Sequence, residues 1–138
     1  MNEKAAEFRA RREACGLSVE DVAAACRAAA ADVEAWESSE GRGAPSFAWS
    51  VVETAENGRT RAVDAAVRAA ESFPEAAAIQ LTYYASQEQY DAMGRDPGPY
   101  GVANANARAI AERLVAMGFD VSWSYPTDPD NIYHQSRS

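Results

Sequence analysis

Residue types that commonly do chemistry are sparse in this chain. His134, near the C-terminus, is its one histidine, and Cys15 and Cys26 are its two cysteines. The cysteines sit within apolar helical patterns, lack Cys-x-x-Cys spacing and have no histidine cluster near them, so they read as reduced core residues. A Ser-His-Asp or Cys-His site would have to recruit its histidine from a polar tail, and the carboxylates are scattered along helix surfaces. The expectation is a non-enzymatic protein with no metal and no cofactor. Three other sets of residues have chemistry to offer. Tyr83, Tyr84, Tyr90, Trp123 and Tyr125 could stack nucleotides, or build a packed sheet face or a subunit interface. Lys4, Arg9, Arg11, Arg42, Arg59 and Arg61 could anchor phosphates, or form solvated faces. Asn104 and Asn106 could act as caps, interface hydrogen bonders or ligand contacts.

Composition bounds what these sets can do. With 138 residues, 47% of them hydrophobic and 25% charged, the chain can bury one full core or two small ones. Its net charge of −8 gives a field that repels phosphate, so any affinity for nucleic acid must come from local geometry. No apolar stretch approaches the roughly 20 residues needed to span a bilayer, and MNEKAAEFRARR has no hydrophobic signal region. A cytoplasmic protein without a membrane partner is expected.

The elements that must position these residues follow from periodicity. A first helix runs from Glu3 to about Ala14, where Gly16 can take positive φ. Ser18 is placed as the N-cap of a second helix ending near Arg27, with Asp21 as its capping-box acid and Val22, Ala25 and Cys26 as its inward stripe. A third helix spans Ala30 to Ser38, directing Val33, Trp36 and Ala29 inward. Pro45 and Ser46 open a fourth, and Asn57-Gly58 is expected to break it before a fifth, Arg59 to Ser72, closed by Phe73-Pro74. Beyond Ala78 the residues IQLTYY alternate as a strand. A short helix capped by Ser86 follows, then the turn-rich GRDPGPYG loop, a long helix from Val102 to Met117 capped by Gly118, and a second strand from Val121 to Tyr125. The predicted class is α+β, mainly α, with a five-helix N-terminal unit followed by a small β-α-α-β segment. The expected divisions are 1–74, 75–126 and a flexible polar tail, 127–138. Strands joined by a long crossover are parallel neighbours or need another strand between them, and two strands alone are barely stable. A homodimer pairing two C-terminal segments is the economical way to complete the sheet.

The second and third helices are short, a few residues apart and backed by the first and fourth, which is the arrangement of a helix-turn-helix unit. Phe8, Arg9 and Arg12 before Gly16-Leu17-Ser18, then Val22-Ala23, Val33 and Trp36-Glu37, resemble the Xre/Cro-type helix-turn-helix family of phage repressors and bacterial regulators, without a gap from Phe8 to Ser39. The whole layout, including ANANARAIAERLVAMGFDV, is similar to YdiL-like and anti-CRISPR-associated regulators. The resemblance implies that Arg12 and Glu37 form an ion pair between the first helix and the end of the third, with Leu17, Val22, Val33 and Trp36 as core. It also implies a DNA-contacting set, Ser18, Val19, Arg27, Ala29, Ala30, Asp32, Glu34 and Arg42.

That contact set departs from the family. Where the family commonly has Gln after the capping Ser, this chain has Val19, and its third helix offers Ala29, Ala30, Ala31, Asp32, Glu34 and Ala35 in place of amides and arginines. From Leu17 to Glu40 the one basic residue, Arg27, faces six acidic ones. Bidentate arginine and amide donors dominate major-groove readout, whereas alanine can touch thymine methyls and carboxylates can accept from cytosine. The expected function is a small dimeric DNA-binding transcriptional regulator, an autorepressor acting on double-stranded operator DNA with its third helix in the major groove. The alternative is the same fold reused as a protein–protein interaction module, its acidic third helix meeting a basic partner with little or no DNA binding.

Overall fold

The computed structural model describes residues 2–73 and 78–131; His134 and Pro74 lie outside them. Among the described residues, six helices and two strands run in the order α1 (Ala5–Ala14), α2 (Val19–Cys26), α3 (Ala30–Trp36), α4 (Ser46–Ser72), β1 (Ala78–Thr82), α5 (Gln87–Met93), α6 (Tyr100–Ala116) and β2 (Asp120–Ser124). The chain is therefore mainly helical with one small sheet. No helix among the described residues is long and apolar enough to cross a membrane.

One expectation of the first half is corrected. The two helices foreseen on either side of Asn57-Gly58 are a single helix, α4, of 27 residues. Asn-Gly breaks a chain where its turn needs positive φ, and Gly58 is not among the positive-φ glycines. In a helical conformation glycine costs only about 1 kcal/mol relative to alanine and removes no donor, unlike proline, so Ala55, Glu56, Arg59 and Ala62 carry the helix through. The chain separates into two compact units, Met1–Gly58 and Arg59–Ser138.

In the first unit Phe8 is fully buried and organises the core. Its ring meets Trp49 edge-on at 5.0 Å and Trp36 at 6.4 Å, the T-shaped geometry that the aromatic quadrupole favours. Val22, Val33 and Val52 have no exposed surface and complete the core. Ala25 and Ala29, expected inward, are exposed; Ala23 is the buried alanine of α2. Gly16, at φ +75°, turns the chain after α1 as its position suggests. Cys15 is buried and Cys26 half-buried, and neither is in a disulfide.

In the second unit β1 and β2 pair in parallel, Ala78 opposite Asp120 through Thr82 opposite Ser124, with α5 and α6 forming the crossover. The two faces differ. Ile79 and Leu81 join Ile110, Leu114 and Phe119 around an apolar cavity. Thr82 and Ser124 lie on the polar face, where they receive the side chain of Asn131. The expected loose tail from residue 127 is in fact folded back as far as Asn131. Asn131 is fully buried, and Gln80 donates to the Asp130 carbonyl at 2.9 Å.

Candidate nucleic-acid interface

The frame that presents α3 is built from hydrogen bonds. At the start of α2 the Ser18 hydroxyl accepts from the Asp21 N–H at 2.9 Å, while the Asp21 carboxylate accepts from the Ser18 N–H at 2.8 Å, a complete capping box. Helix α2 ends on Arg27, a non-glycine residue in the left-handed region at φ +53°. Only Arg27, Ala28 and Ala29 then separate it from α3, so the two helices pack as a tight corner.

The far end of α3 is clamped to α1. Arg12 donates through Nη2 to Glu37 at 2.8 Å and through Nε to its other carboxylate oxygen, and Nη1 donates to the Leu17 carbonyl at 2.8 Å. Both charged side chains are only 7% exposed. The carboxylate of Glu37 raises the guanidinium pKa above its ordinary value against the opposing effect of burial, so Arg12 stays charged. A residue that the sequence did not single out shares this task. Asn2 donates to the Trp36 carbonyl at 2.7 Å and, through its backbone, to Ser39 at 2.9 Å, satisfying carbonyls that the end of a helix leaves open. An asparagine so far along the chain from its partner carries no local signal.

The proposed contact residues fall into distinct positions. Ala31, Glu34 and Ala35 are exposed on α3, with Ala29 exposed at its start and Ala30 half-buried. Val19 is half-buried and Ser18 exposed at the first turn of α2. Asp32 is exposed but engaged: its carboxylate accepts from the Ala29 N–H at 2.9 Å, the acidic half of a capping box whose N-cap, an alanine, cannot supply the other half. Its main task is to hold the N-terminus of α3, where a carboxylate also suits the helix dipole. Glu34 is the one acidic group of α3 that faces solvent without such a task.

The basic residues are similarly sorted. Arg9 pairs with Glu13, and Arg11 pairs with Glu7 and Glu56 while stacking over Trp49 at 5.1 Å. Glu56 is the largest influence holding the Arg11 pKa above its ordinary value. Within the first unit this leaves Lys4, Arg27 and Arg42 as the cations whose side chains have no partner among the described residues. Arg59 and Arg61 lie beyond Gly58, in the second unit.

The aromatic group of the second unit is split by strand alternation. Tyr83 and Tyr84 follow β1 and project to opposite sides. Tyr83 meets Trp123 edge-on at 5.5 Å and accepts a hydrogen bond from Arg108 at 2.7 Å, beside a cleft of about 410 Å3 that also includes Tyr125. Tyr84 meets Tyr90 at 4.8 Å on the wall of a separate cavity of about 470 Å3. Asn104 fixes Tyr84 by accepting from its N–H and donating to its carbonyl, both at 2.9 Å, so Asn104 is a backbone clamp. Burial, followed by the nearby Asp96, pushes the Tyr90 phenol up from its usual value.

No group of three or more His, Cys, Asp or Glu side chains that could hold a metal occurs among the described residues. A comparison of the chain with protein-family models finds no match, and a comparison with curated proteins finds none either.

Proposed function

We propose that this chain is a small helix-turn-helix transcriptional regulator that binds operator DNA as a homodimer, laying α3 in the major groove. The observation that carries the reading is the way α3 is held: Val33 is buried inward and Glu37 is clamped by Arg12, while Ala31, Glu34 and Ala35 stay uncovered. A helix anchored on one side and lined with methyl groups on the other can approach base edges closely and touch thymine methyls. Lys4, Arg27 and Arg42 supply phosphate contacts, which set register and carry no sequence information. Trp123 and Tyr125, 43% and 45% exposed, are surfaces that pairing of the C-terminal segments would cover.

A second reading is favoured by the charge of the same face. Glu20 lies in the first turn of α2 and Glu34 projects from α3, both exposed, and carboxylates at these positions repel phosphate. They suit a basic protein partner. The two readings separate in a retardation assay using the duplex upstream of the protein's own coding region at low salt. The regulator reading predicts a shift that weakens with added salt, weakens in Arg27→Ala and Arg42→Ala, and strengthens in Glu34→Ala. No shift at micromolar protein sinks it. Asp32→Ala is a poor probe, since it also removes the cap of α3.

A further inference from the structure

The described sheet of the second unit has two strands, so each strand keeps an outer edge whose N–H and C=O groups point away from its neighbour. The two edges are not equivalent. Tyr83 donates its N–H to the Ser124 carbonyl at 2.9 Å, and in a parallel ladder that parity turns Ser122 and Ser124 toward β1 and turns Val121 and Trp123 outward. The same parity turns the backbone of Tyr84 away from β2. There the Asn104 amide takes both groups, accepting from the Tyr84 N–H and donating to its carbonyl, each at 2.9 Å, so a side chain occupies the place of a further strand at that end of β1.

The edge of β2 is open over a short, defined length. Before it, the Phe119 N–H is used on the Leu114 carbonyl at 3.0 Å; after it, the Tyr125 N–H is used on the Asp128 carboxylate at 2.8 Å. Between them the outward backbone groups of Val121 and Trp123 have no partner among the described residues. Asp120, Ser122 and Trp123 are exposed.

These free groups are self-complementary. About a two-fold axis through Ser122, an antiparallel second copy sets Val121 opposite Trp123 and Trp123 opposite Val121, and each pair exchanges both of its N–H···O bonds. An axis through Val121 sets Trp123 against Phe119, and one through Trp123 sets Val121 against Tyr125; both of those N–H groups are already used. The side chains suit the same register. Val121 and Trp123 lie in register with Ile79 and Leu81 and share their apolar face. Pairing brings each tryptophan opposite a valine, an aromatic–β-branched pair that sheets favour, with the second copy's tryptophan about 7–8 Å away on the diagonal. Ser122, small and uncharged, meets its own copy at the axis. Asp120 falls opposite Ser124 and about 14 Å from its symmetry mate, so no like charges face each other.

We infer that β2 pairs antiparallel with β2 of a second copy about an axis at Ser122, joining two sheets of two strands into one of four. The inference rests on the homodimer of the proposed regulator and names the surface that forms it; every residue it uses belongs to the second unit. It also supplies the additional strands that a two-stranded sheet needs for stability.

Sedimentation of the full-length chain from about 1 to 100 μM, the affinity range of small interfaces, is expected to show a reversible dimer. Trp123→Lys, which places a charge on the edge, and Val121→Pro, which removes an outward N–H and no ladder bond, should each weaken it about tenfold or more, with the fold kept by circular dichroism. In a Cys26→Ser background, Ser122→Cys should oxidise to a covalent dimer, because facing Cα atoms of a non-hydrogen-bonded pair lie about 4.5 Å apart, within disulfide reach. Asp120→Cys, off the axis, should not. If Val121→Pro fails to fold, Trp123→Lys and the cross-link decide. A dimer that persists in folded Trp123→Lys, or that fails to cross-link through Ser122→Cys, overturns this inference and leaves the homodimer reading standing. A monomer throughout the range overturns both.

Discussion

Replacing Arg12 with Met tests the central support of α3. The substitution keeps most of the stem's volume but removes two hydrogen bonds to Glu37 and one to the Leu17 carbonyl. It strands a carboxylate whose side chain is 7% exposed. Breaking a buried pair from one side costs about 3–5 kcal/mol, because the remaining charge keeps its desolvation penalty and loses its partner. A domain's whole stability is about 5–15 kcal/mol, so the first unit should lose between about a fifth and all of it. The matched control is Arg9→Ala: its pair with Glu13 spans one helical turn with side chains 63% and 55% exposed, worth about 0.3–0.5 kcal/mol. The assay is urea unfolding followed by tryptophan fluorescence with Trp123→Phe as background, so that only Trp36 and Trp49 of the first unit report. The double variant Arg12→Met, Glu37→Met should recover most of the loss, since it strands no charge. A loss below about 1 kcal/mol for Arg12→Met, or a double variant no better than the single one, refutes the reasoning, for the pair would then behave as an exposed one.

Two further expectations concern the other parts of the chain. Gly58→Ala should raise stability by about 0.5–1 kcal/mol in the same denaturation experiment, because Gly58 sits inside a continuous α4; a destabilised variant would mean that the helix is broken there. Tyr90 holds its proton more tightly when folded than when unfolded, because burial disfavours the phenolate. Its contribution to stability is therefore complete below the ordinary tyrosine value near 10 and declines as pH rises from there through the folded-state value. Alkaline unfolding of the second unit should be delayed in Tyr90→Phe, and an unchanged pH profile in that variant rules the effect out.

What could be read in the sequence was whatever depends on local spacing. Ser18 and Asp21 stand three apart and form their capping box; Ile79 and Leu81 alternate and share the apolar face; Gly16 takes positive φ where α1 ends. Asn57-Gly58 misled because a turn signal is a statement about permitted φ, and strong helix formers on both sides kept φ negative. Ala25 and Cys26 misled in a different way. A short helix of small residues has little amphipathic contrast, so its inward face is set by what packs against it, and Ala23 took the buried position. The tail through Asn131 escaped because a polar segment reads as loose unless its partners are known, and these partners, Thr82 and Ser124, are themselves polar. Asn104 and Asn106 were indistinguishable for a similar reason: only the position of Tyr84 decides which amide is engaged.

The same capture of side chains by local partners bounds what the α3 face can do on DNA. Of the arginines near α3, Arg9, Arg11 and Arg12 are paired with glutamates, and Asp32 is engaged as a cap. Among the described residues of the first unit, the cations without a partner are Lys4, Arg27 and Arg42. Each phosphate neutralised contributes about 0.9 to the slope of log affinity against log salt. A dimer using all three on each protomer is therefore limited to a slope of about −5, shallow beside the roughly −10 reached by a repressor that contacts about twice as many phosphates. A measured slope near or below this bound fits docking through the first unit alone, with Glu34 opposing it. A much steeper slope requires basic residues from Arg59 onward to reach the backbone, and Arg61→Ala would then reduce the slope by about 1 while leaving the stability of the α3 frame unchanged.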